Sequence, residues 1–291
     1  MRKTALFVLA LSLLVPTALL AQDFDAVEIR TVQVSDSIYM LVGEGGNIGV
    51  SVGEDGVFII DDQFAPLTEK IKAAIAEIAD RPVQFVINSH YHYDHTDGNE
   101  NFGGEGAIIV AHENSRARMA TDQVLEAFDY LQEAYSAEGL PKITFTESMR
   151  FHYNGHTIDV FHTPGAHTDG DVIIWFREAN VVHTGDVFVR YFPPFIDQPS
   201  GGSISGIIAA VERIAEMADE ETKFIPGHGE VSSKQDLLAY GERLTIIRDR
   251  IAALIDEGKT LQEVIAADPT GGGESAAGWV GFVYEELRSR R

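Results

Sequence analysis

The sequence predicts a mixed α/β (α+β) fold in which two sheets are covered by helices. Short apolar runs bounded by Gly-rich turns fill the first part of the chain, as expected of strands. They give way to segments whose apolar residues recur at helical spacing. The second half repeats this strand-and-helix grammar, and no linker between the halves is long enough to separate independent domains. Two helix-covered sheets are therefore the economical architecture.

Residues 27–34, 38–42, 48–52 and 57–60 read as strands, with turns at Gly43-Glu44-Gly45-Gly46 and Gly53-Glu54-Asp55-Gly56. Over residues 67–79, Leu67, Ile71, Ala74, Ile75 and Ile78 share a helical face. Phe85, Val86 and Ile87 form a buried strand, residues 108–111 another, and helices are expected across 114–137. Asn154-Gly155 marks a hairpin between 149–153 and 157–161, because both residues tolerate the positive φ of a tight turn. Strands follow at 172–176, 181–183 and 223–225. Helices are expected at 204–217, after the small residues Gly201-Gly202-Ser203, and at 234–255. In the latter, Leu237, Tyr240, Leu244, Ile247, Ile251 and Leu254 make a continuous stripe that packs on a sheet. Residues 261–266 and 276–287 close the chain as helices.

Before this core, Arg2 and Lys3 precede an apolar run over residues 5–15, and the small Ala21 stands just before Gln22. That is the pattern of a secretory signal peptide cleaved after Ala21, leaving one domain over residues 22–291. The apolar run is short for a membrane span and is followed by Pro16, which disfavours an uncleaved anchor and any stable membrane insertion after cleavage. The chain has no Cys, so no disulfide and no lipid-modified Cys are possible. A periplasmic or secreted bacterial protein held by its core or by metals fits this composition. Removing Arg2 and Lys3 takes the formal charge from −23 to about −25, and so acidic a chain is a poor partner for nucleic acid.

The chemistry concentrates in His90-Tyr91-His92-Tyr93-Asp94-His95, directly after the apolar strand 85–87. Imidazoles and a carboxylate crowded together desolvate badly, whereas a zinc-type dication takes neutral His nitrogen and carboxylate oxygen at about 2.0–2.2 Å. In extended chain His90 and His92 point to one side, while Asp94 and His95 lie past a bend, so two metals are implied. Three more candidate ligands follow predicted strands beside Gly or Pro: His167 in Pro164-Gly165-Ala166-His167, Asp186 in Gly185-Asp186, and His228 in Pro226-Gly227-His228-Gly229. Glycine lets the backbone approach a crowded centre. His112, His152, His156, His162 and His183 are read as hydrogen-bonded loop residues or outer partners of the ligands.

This series, H-x-H-x-D-H at His90 to His95, then His167, Asp186 and Gly227-His228-Gly229, resembles the metallo-β-lactamase fold superfamily of hydrolases over nearly the whole mature chain. The resemblance implies an αββα sandwich of two mixed β-sheets, with the site along one edge. It further implies one zinc held by His90, His92 and His167, a second by Asp94, His95 and His228, and Asp186 bridging them. Asp186 and His95 stand where β-lactamases of the commonest subclass have Cys and no His ligand, so the site looks more like glyoxalase II and the lactonases. His92 argues against the oxygen-reducing di-iron relatives, which have Glu there, and the 42-residue separation of Asp186 from His228 leaves no room for a nuclease insert. Val189 stands where those β-lactamases carry a substrate-gripping Lys; Arg190 is either its substitute or a solvent-exposed Arg.

The expected activity is that of an exported dizinc hydrolase, with iron or manganese as less favoured metals. A metal-bridging hydroxide would attack the carbonyl carbon of a small-molecule ester, lactone, thioester or β-lactam amide, with Asp94 orienting it. Within Tyr191-Phe192-Pro193-Pro194-Phe195-Ile196, Phe192 and Phe195 either wall a substrate cleft or pack on the core. Asp169, His183 and Thr184 either orient ligands through hydrogen bonds or cap turns. An iron-dependent oxidoreductase or sulfur-handling enzyme of the same fold, and a noncatalytic metal-binding protein, are the alternative functions.

Overall fold

In the strand Gly56–Ile60, Val57 and Ile59 turn to one side and Phe58 and Ile60 to the other, and all four are fully buried. Such a strand must be covered on both faces. A computed structural model describing residues 23–290 shows the two covers. The leader expected at residues 1–21 lies outside the described residues.

The first sheet begins as an antiparallel meander, β1 (Arg30–Gln33), β2 (Ile38–Val42), β3 (Ile48–Gly53) and β4 (Gly56–Ile60). It continues in parallel through β5 (Val83–Ile87) and β6 (Ile108–His112). Next, β7 (Gln123–Leu125) and β8 (Tyr130–Gln132) form a separate hairpin, after which β9 (Ile143–Phe145) returns to the edge beside β6. The second sheet runs β10 (Ser148–Tyr153), β11 (His156–His162), β12 (Val172–Phe176), β13 (Val181–His183), β14 (Lys223–Ile225) and β15 (Ser232–Ser233), in that order. Only its β13–β14 pair is parallel. The β10–β11 turn is the expected Asn154-Gly155, at φ of 53° and 75°.

Three cores separate the layers. Phe58 and Ile60 meet Ile158, Val160, Ile174 and Phe176 between the sheets. Val57 and Ile59 pack on Ile71 and Ile75 of α1 (Thr68–Ala76), and on Phe102, which lies beyond the single-turn α2 (Tyr93–Thr96) on α3 (Asn99–Gly104). The first half also contains α4 (Glu113–Met119). Behind the second sheet, Ile173, Val182 and Phe224 pack on α5 (Ile204–Met217) and α6 (Lys234–Asp256), with α7 (Leu261–Ala266) and α8 (Ala277–Ser289) closing the layer. This helix–sheet–sheet–helix stack is the αββα sandwich. Ser233 with Asp236 and Thr260 with Glu263 form capping boxes that start α6 and α7 by satisfying amides the helices leave free. Among the described residues no helix is long and apolar enough to cross a membrane.

The helices expected across 114–137 are overturned past Met119. The chain instead makes the β7–β8 hairpin around a turn at Glu126–Phe128, with Asp129 at φ 48°. Tertiary contacts override the helix-favouring Leu, Glu, Ala and Gln of this stretch. Tyr130 stacks on Tyr93 at 4.0 Å and Gln132 Nε2 donates to Tyr91 O at 2.9 Å, so the hairpin is moulded onto the histidine-rich loop. The first strand also starts later than expected, at Arg30.

Candidate metal centre

The loops after β5, β13 and β14, and the β11–β12 connection, open at one end of the sandwich, and each delivers part of the predicted ligand set. His90 and His92 extend from β5, and the α2 turn then swings Asp94 and His95 to the other side, held by Thr96 Oγ1 donating to His92 O at 2.9 Å. Asp186 sits in the tight turn Gly185–Val187, and His228 on the loop after β14. Two glycines permit the crowding: a Cβ on Gly227 would collide with Asp186 Oδ1, and one on Gly46 with the His95 ring. All seven side chains converge. Three overlapping groups, His90–His92–His167, His90–His95–Asp186 and Asp94–His95–His228, have ligand atoms within 4.8 Å of one another.

Hydrogen bonds on the far side of each ring decide what points inward. His92 Nε2 lies 3.0 Å from Asp197 Oδ2, and His167 Nδ1 lies 2.9 Å from Phe195 O; both partners only accept, so these nitrogens carry the proton. Ser89 Oγ gives its proton to Asp61 Oδ2 at 2.6 Å and so accepts from His90 Nδ1 at 3.0 Å. The inward atoms His90 Nε2, His92 Nδ1 and His167 Nε2 are therefore three lone pairs, with His92 Nδ1 3.0 Å from the first and 2.9 Å from the last. Lone pairs that close repel unless a cation sits among them, which is the donor chemistry a zinc-type ion requires.

The other half of the site is built from opposite charges. His95 Nδ1 donates to Asp61 Oδ2 at 2.8 Å, which turns its Nε2 toward Asp186 Oδ1 at 3.2 Å, His228 Nε2 at 3.3 Å and Asp94 Oδ2 at 3.7 Å. His228 Nε2 lies 3.2 Å from Asp94 Oδ2 and 3.5 Å from Asp186 Oδ2. Asp186 Oδ2 is also 3.8 Å from His167 Nε2, so this one carboxylate faces both halves, while its buried Oδ1 has no aligned donor. Burial, reinforced by the neighbouring imidazoles, holds His90 well below the usual histidine range, and burial pulls His167 down to about 4. Burial also opposes charge on His95 and His228, yet the surrounding carboxylates raise His95 well above its usual value and His228 to about 9. Asp186 is held well below the usual carboxylate range by His228 and His95, against the cost of burial. One half thus offers neutral imidazoles, and the other offers carboxylates whose charge protons or a dication can balance.

The seven ligand candidates are gathered, but several other predicted residues stand elsewhere. Asp169 forms a two-pronged ion pair with Arg118, at 2.9 and 2.6 Å. His183 Nε2 donates to Asn47 O at 3.0 Å, and Thr184 Oγ1 bonds backbone carbonyls, so neither touches a ligand side chain. The side chains that hydrogen-bond a candidate ligand's side chain from outside the set are those of Asp61, Ser89 and Asp197. Asp61 and Ser89 carry a faint signal in sequence, since each closely follows an apolar strand, as the ligands do; Asp197 carries none. Arg190 pairs with Asp236 at 2.9 Å. Phe192 packs on Trp279, and Arg243 stacks on it at 3.4 Å, which makes Phe192 a core-packing residue. Phe195 does border the ligands, 5.7 Å from both the His92 and His167 rings. It lines a cleft of about 260 Å³ together with Tyr93, Leu125, Phe128 and Tyr191, over a floor of His92, Asp94, Asp186 and His228. Leu125 and Phe128 belong to the stretch read as helix, which hid them.

An αββα sandwich carrying a His/Asp cluster at one end is the architecture of a metal-dependent hydrolase fold. A family model described as the Metallo-beta-lactamase superfamily matches residues 41–228, and the chain belongs to that superfamily. Hydroxyacylglutathione hydrolase from Rhodospirillum rubrum is 30% identical over 120 residues, which is 41% of this chain and 39% of that relative. The chain thus spans well under half the length of this curated relative. A metallo-beta-lactamase from Pontibacter korlensis superposes with a TM-score of 0.60 at 17% identity, over 74% of this chain and 99% of that one. The stereoselective inverting sec-alkylsulfatase Pisa1 from Pseudomonas sp. gives 0.65 at 16% identity, over 82% of this chain and 45% of that one. At these identities the structural likeness speaks for the fold alone.

Proposed function

We propose that this chain is an exported dizinc hydrolase that cleaves a carbonyl-centred bond with water. The observation that carries the reading is the pair of donor sets: three inward imidazole lone pairs on one side, and Asp94, His95 and His228 on the other, with Asp186 facing both. His90, His92 and His167 would hold one ion, Asp94, His95 and His228 the second, and Asp186 would bridge. When bound, the ions supply Lewis acidity, polarising a carbonyl and lowering the pKa of water from 15.7 to about 7.

The protein's own groups do the rest. Asp94 lies on the cleft floor, where its carboxylate orients the attacking water and takes its proton. The water oxygen bonds to the carbonyl carbon, the bond from that carbon to the leaving atom breaks, and the leaving atom collects the proton. Asp61, Ser89, Asp197 and Phe195 O hold the imidazoles in the tautomers that aim their lone pairs inward. The walls exclude water from the remainder of the substrate. An ester, lactone, thioester or β-lactam fits this chemistry, and the Rhodospirillum rubrum relative is, by its name, a hydrolase of an acyl compound.

Export belongs to the same reading. Arg2, Lys3 and the apolar residues 5–15 support cleavage after Ala21 and a mature domain over residues 22–291 in the periplasm or outside the cell. N-terminal sequencing of the mature protein tests it. The function itself is tested by metal content, measured beside hydrolysis of a lactone, a thioester and a β-lactam before and after chelation. About two zinc ions per chain and chelator-sensitive hydrolysis of at least one substrate are expected. Iron, or full metal occupancy with no hydrolysis, would overturn the reading.

A further inference from the structure

The cleft walls carry information about the part of the substrate that does not react. Of the nine residues lining the cleft, none is Lys or Arg. Arginines of adjoining segments are engaged elsewhere: Arg118 grips Asp169 at 2.9 and 2.6 Å, Arg190 pairs with Asp236 at 2.9 Å, and Arg243 lies over Phe192. Any ions bound by the floor would be committed to the reacting bond. What remains of the substrate meets Tyr93, Leu125, Phe128, Tyr191 and Phe195. An anionic tail there would shed its hydration with no cation to replace it, in a chain of net charge −23.

The β7–β8 hairpin builds this wall. Its inner side is fastened to the ligand loop by Tyr130 on Tyr93 and by Gln132 on Tyr91 O, and Leu125 is buried beside Tyr91 and Met119. Phe128 at the turn is 52% exposed, yet its ring lies 4.9 Å from Phe195, a contact between the hairpin and the loop that follows Asp186. The cleft, at about 260 Å³, falls just below the usual range of ligand pockets, which begins near 300 Å³.

We propose that the site takes a compact, uncharged carbonyl compound with an apolar substituent, and that Phe128 on the β7–β8 hairpin sets this preference. The bond cleaved rests on the hydrolase reading above; the binding preference does not. A glutathione conjugate, with its free carboxylates, is a poor fit.

The test compares two esters of equal chain length on the metal-loaded protein: p-nitrophenyl hexanoate and the mono-p-nitrophenyl ester of adipic acid, which ends in a carboxylate. Hexanoate is expected to win by about tenfold or more in kcat/KM. Phe128→Ala should lower hexanoate turnover by about tenfold, and Phe128→Arg should shrink the preference to about threefold or less by supplying a cation. Circular dichroism checks that both variants are folded. Equal or faster turnover of the adipate ester, or a preference unmoved by Phe128→Arg, overturns the proposal. Binding of hexanamide and of adipamic acid is followed in parallel by saturation-transfer NMR, with and without chelator. Where neither ester is hydrolysed, ester cleavage alone is excluded, the hydrolase reading is left to the lactone, thioester and β-lactam assays, and the amides decide the preference: preferential binding of hexanamide supports the proposal, and equal or preferential binding of adipamic acid overturns it.

Discussion

Asp61 is fully buried and accepts three hydrogen bonds, from Ser89 N and Ser89 Oγ at 2.6 Å each and from His95 Nδ1 at 2.8 Å. The third fixes the His95 tautomer that turns the Nε2 lone pair toward Asp94, Asp186 and His228. Asp61→Asn preserves shape, and Asn tolerates the φ of 62° found there, so the backbone is not disturbed. The amide, however, has a single acceptor oxygen. With that oxygen on Ser89 N, the NH2 group faces Ser89 Oγ and His95 Nδ1. The hydroxyl can rotate to accept, but the imidazole can answer only by moving its proton to Nε2, the atom a metal needs. Losing such an outer partner weakens metal binding about tenfold to a hundredfold, or about 1.4 to 2.7 kcal/mol. The assay is zinc titration of the chelator-stripped protein against a chromophoric competitor. The zinc at Asp94, His95 and His228 should weaken by that factor with an unchanged circular dichroism spectrum, and the zinc at His90, His92 and His167 by no more than the same factor, since the rotated Ser89 hydroxyl also faces His90 Nδ1. Two zinc ions bound with wild-type affinity in Asp61→Asn would refute the tautomer argument.

Three further outcomes are expected. Asp94→Asn should lower kcat by about a hundredfold or more while thermal melting stays within a few degrees of the wild type; full turnover in a metal-loaded variant would remove Asp94 from the mechanism. Gly227→Ala should lose metal, read by elemental analysis, because the added methyl collides with Asp186 Oδ1 in a turn that has no room to yield. At the surface, Arg150 and Arg177 hold the Asp159 carboxyl below its usual range against slight burial, with Arg150 Nε at 2.5 Å. A depressed carboxylate stabilises the fold above its unfolded pKa of about 3.9 and loses that contribution as pH falls through the folded value. Asp159→Asn should therefore melt at most about 3 °C lower at pH 7, and the difference should begin to shrink as the pH drops below about 4 and vanish once the pH passes the lowered folded value; a gap that persists in stronger acid would exclude the ion pair as its cause.

Strands and helices with strong local patterns are legible in the sequence alone. The α6 stripe is one case, since Leu237, Leu244, Ile247 and Ile251 lie 3 to 7 residues apart and are buried together on the second sheet. Asn154-Gly155 is another, because backbone sterics alone demand residues tolerant of positive φ. The stretch 121–135 was not legible. Its composition favours helix, and it pairs as a hairpin because Tyr130 and Gln132 find partners on the ligand loop. Such partners are properties of the packed layers.

The same division runs through the site. The seven ligand candidates could be named from the sequence because a metal needs particular donor atoms, and His and Asp stand immediately after strands in turns tight enough to present them. That these seven side chains converge, and that three imidazoles aim bare lone pairs at one point, was decided by tertiary structure. Asp61 reaches His95 across 34 residues and Asp197 reaches His92 across 105, contacts that exist only once sheet register and loop packing have set both ends. The substrate wall follows the same rule. Phe128 and Phe195 belong to segments with nothing in common along the chain, and they meet because the hairpin and the loop after Asp186 fold onto the same candidate ligands. Donor chemistry is carried by residue type and local spacing; orientation, protonation and cleft shape arise from long-range packing, which a linear pattern does not encode.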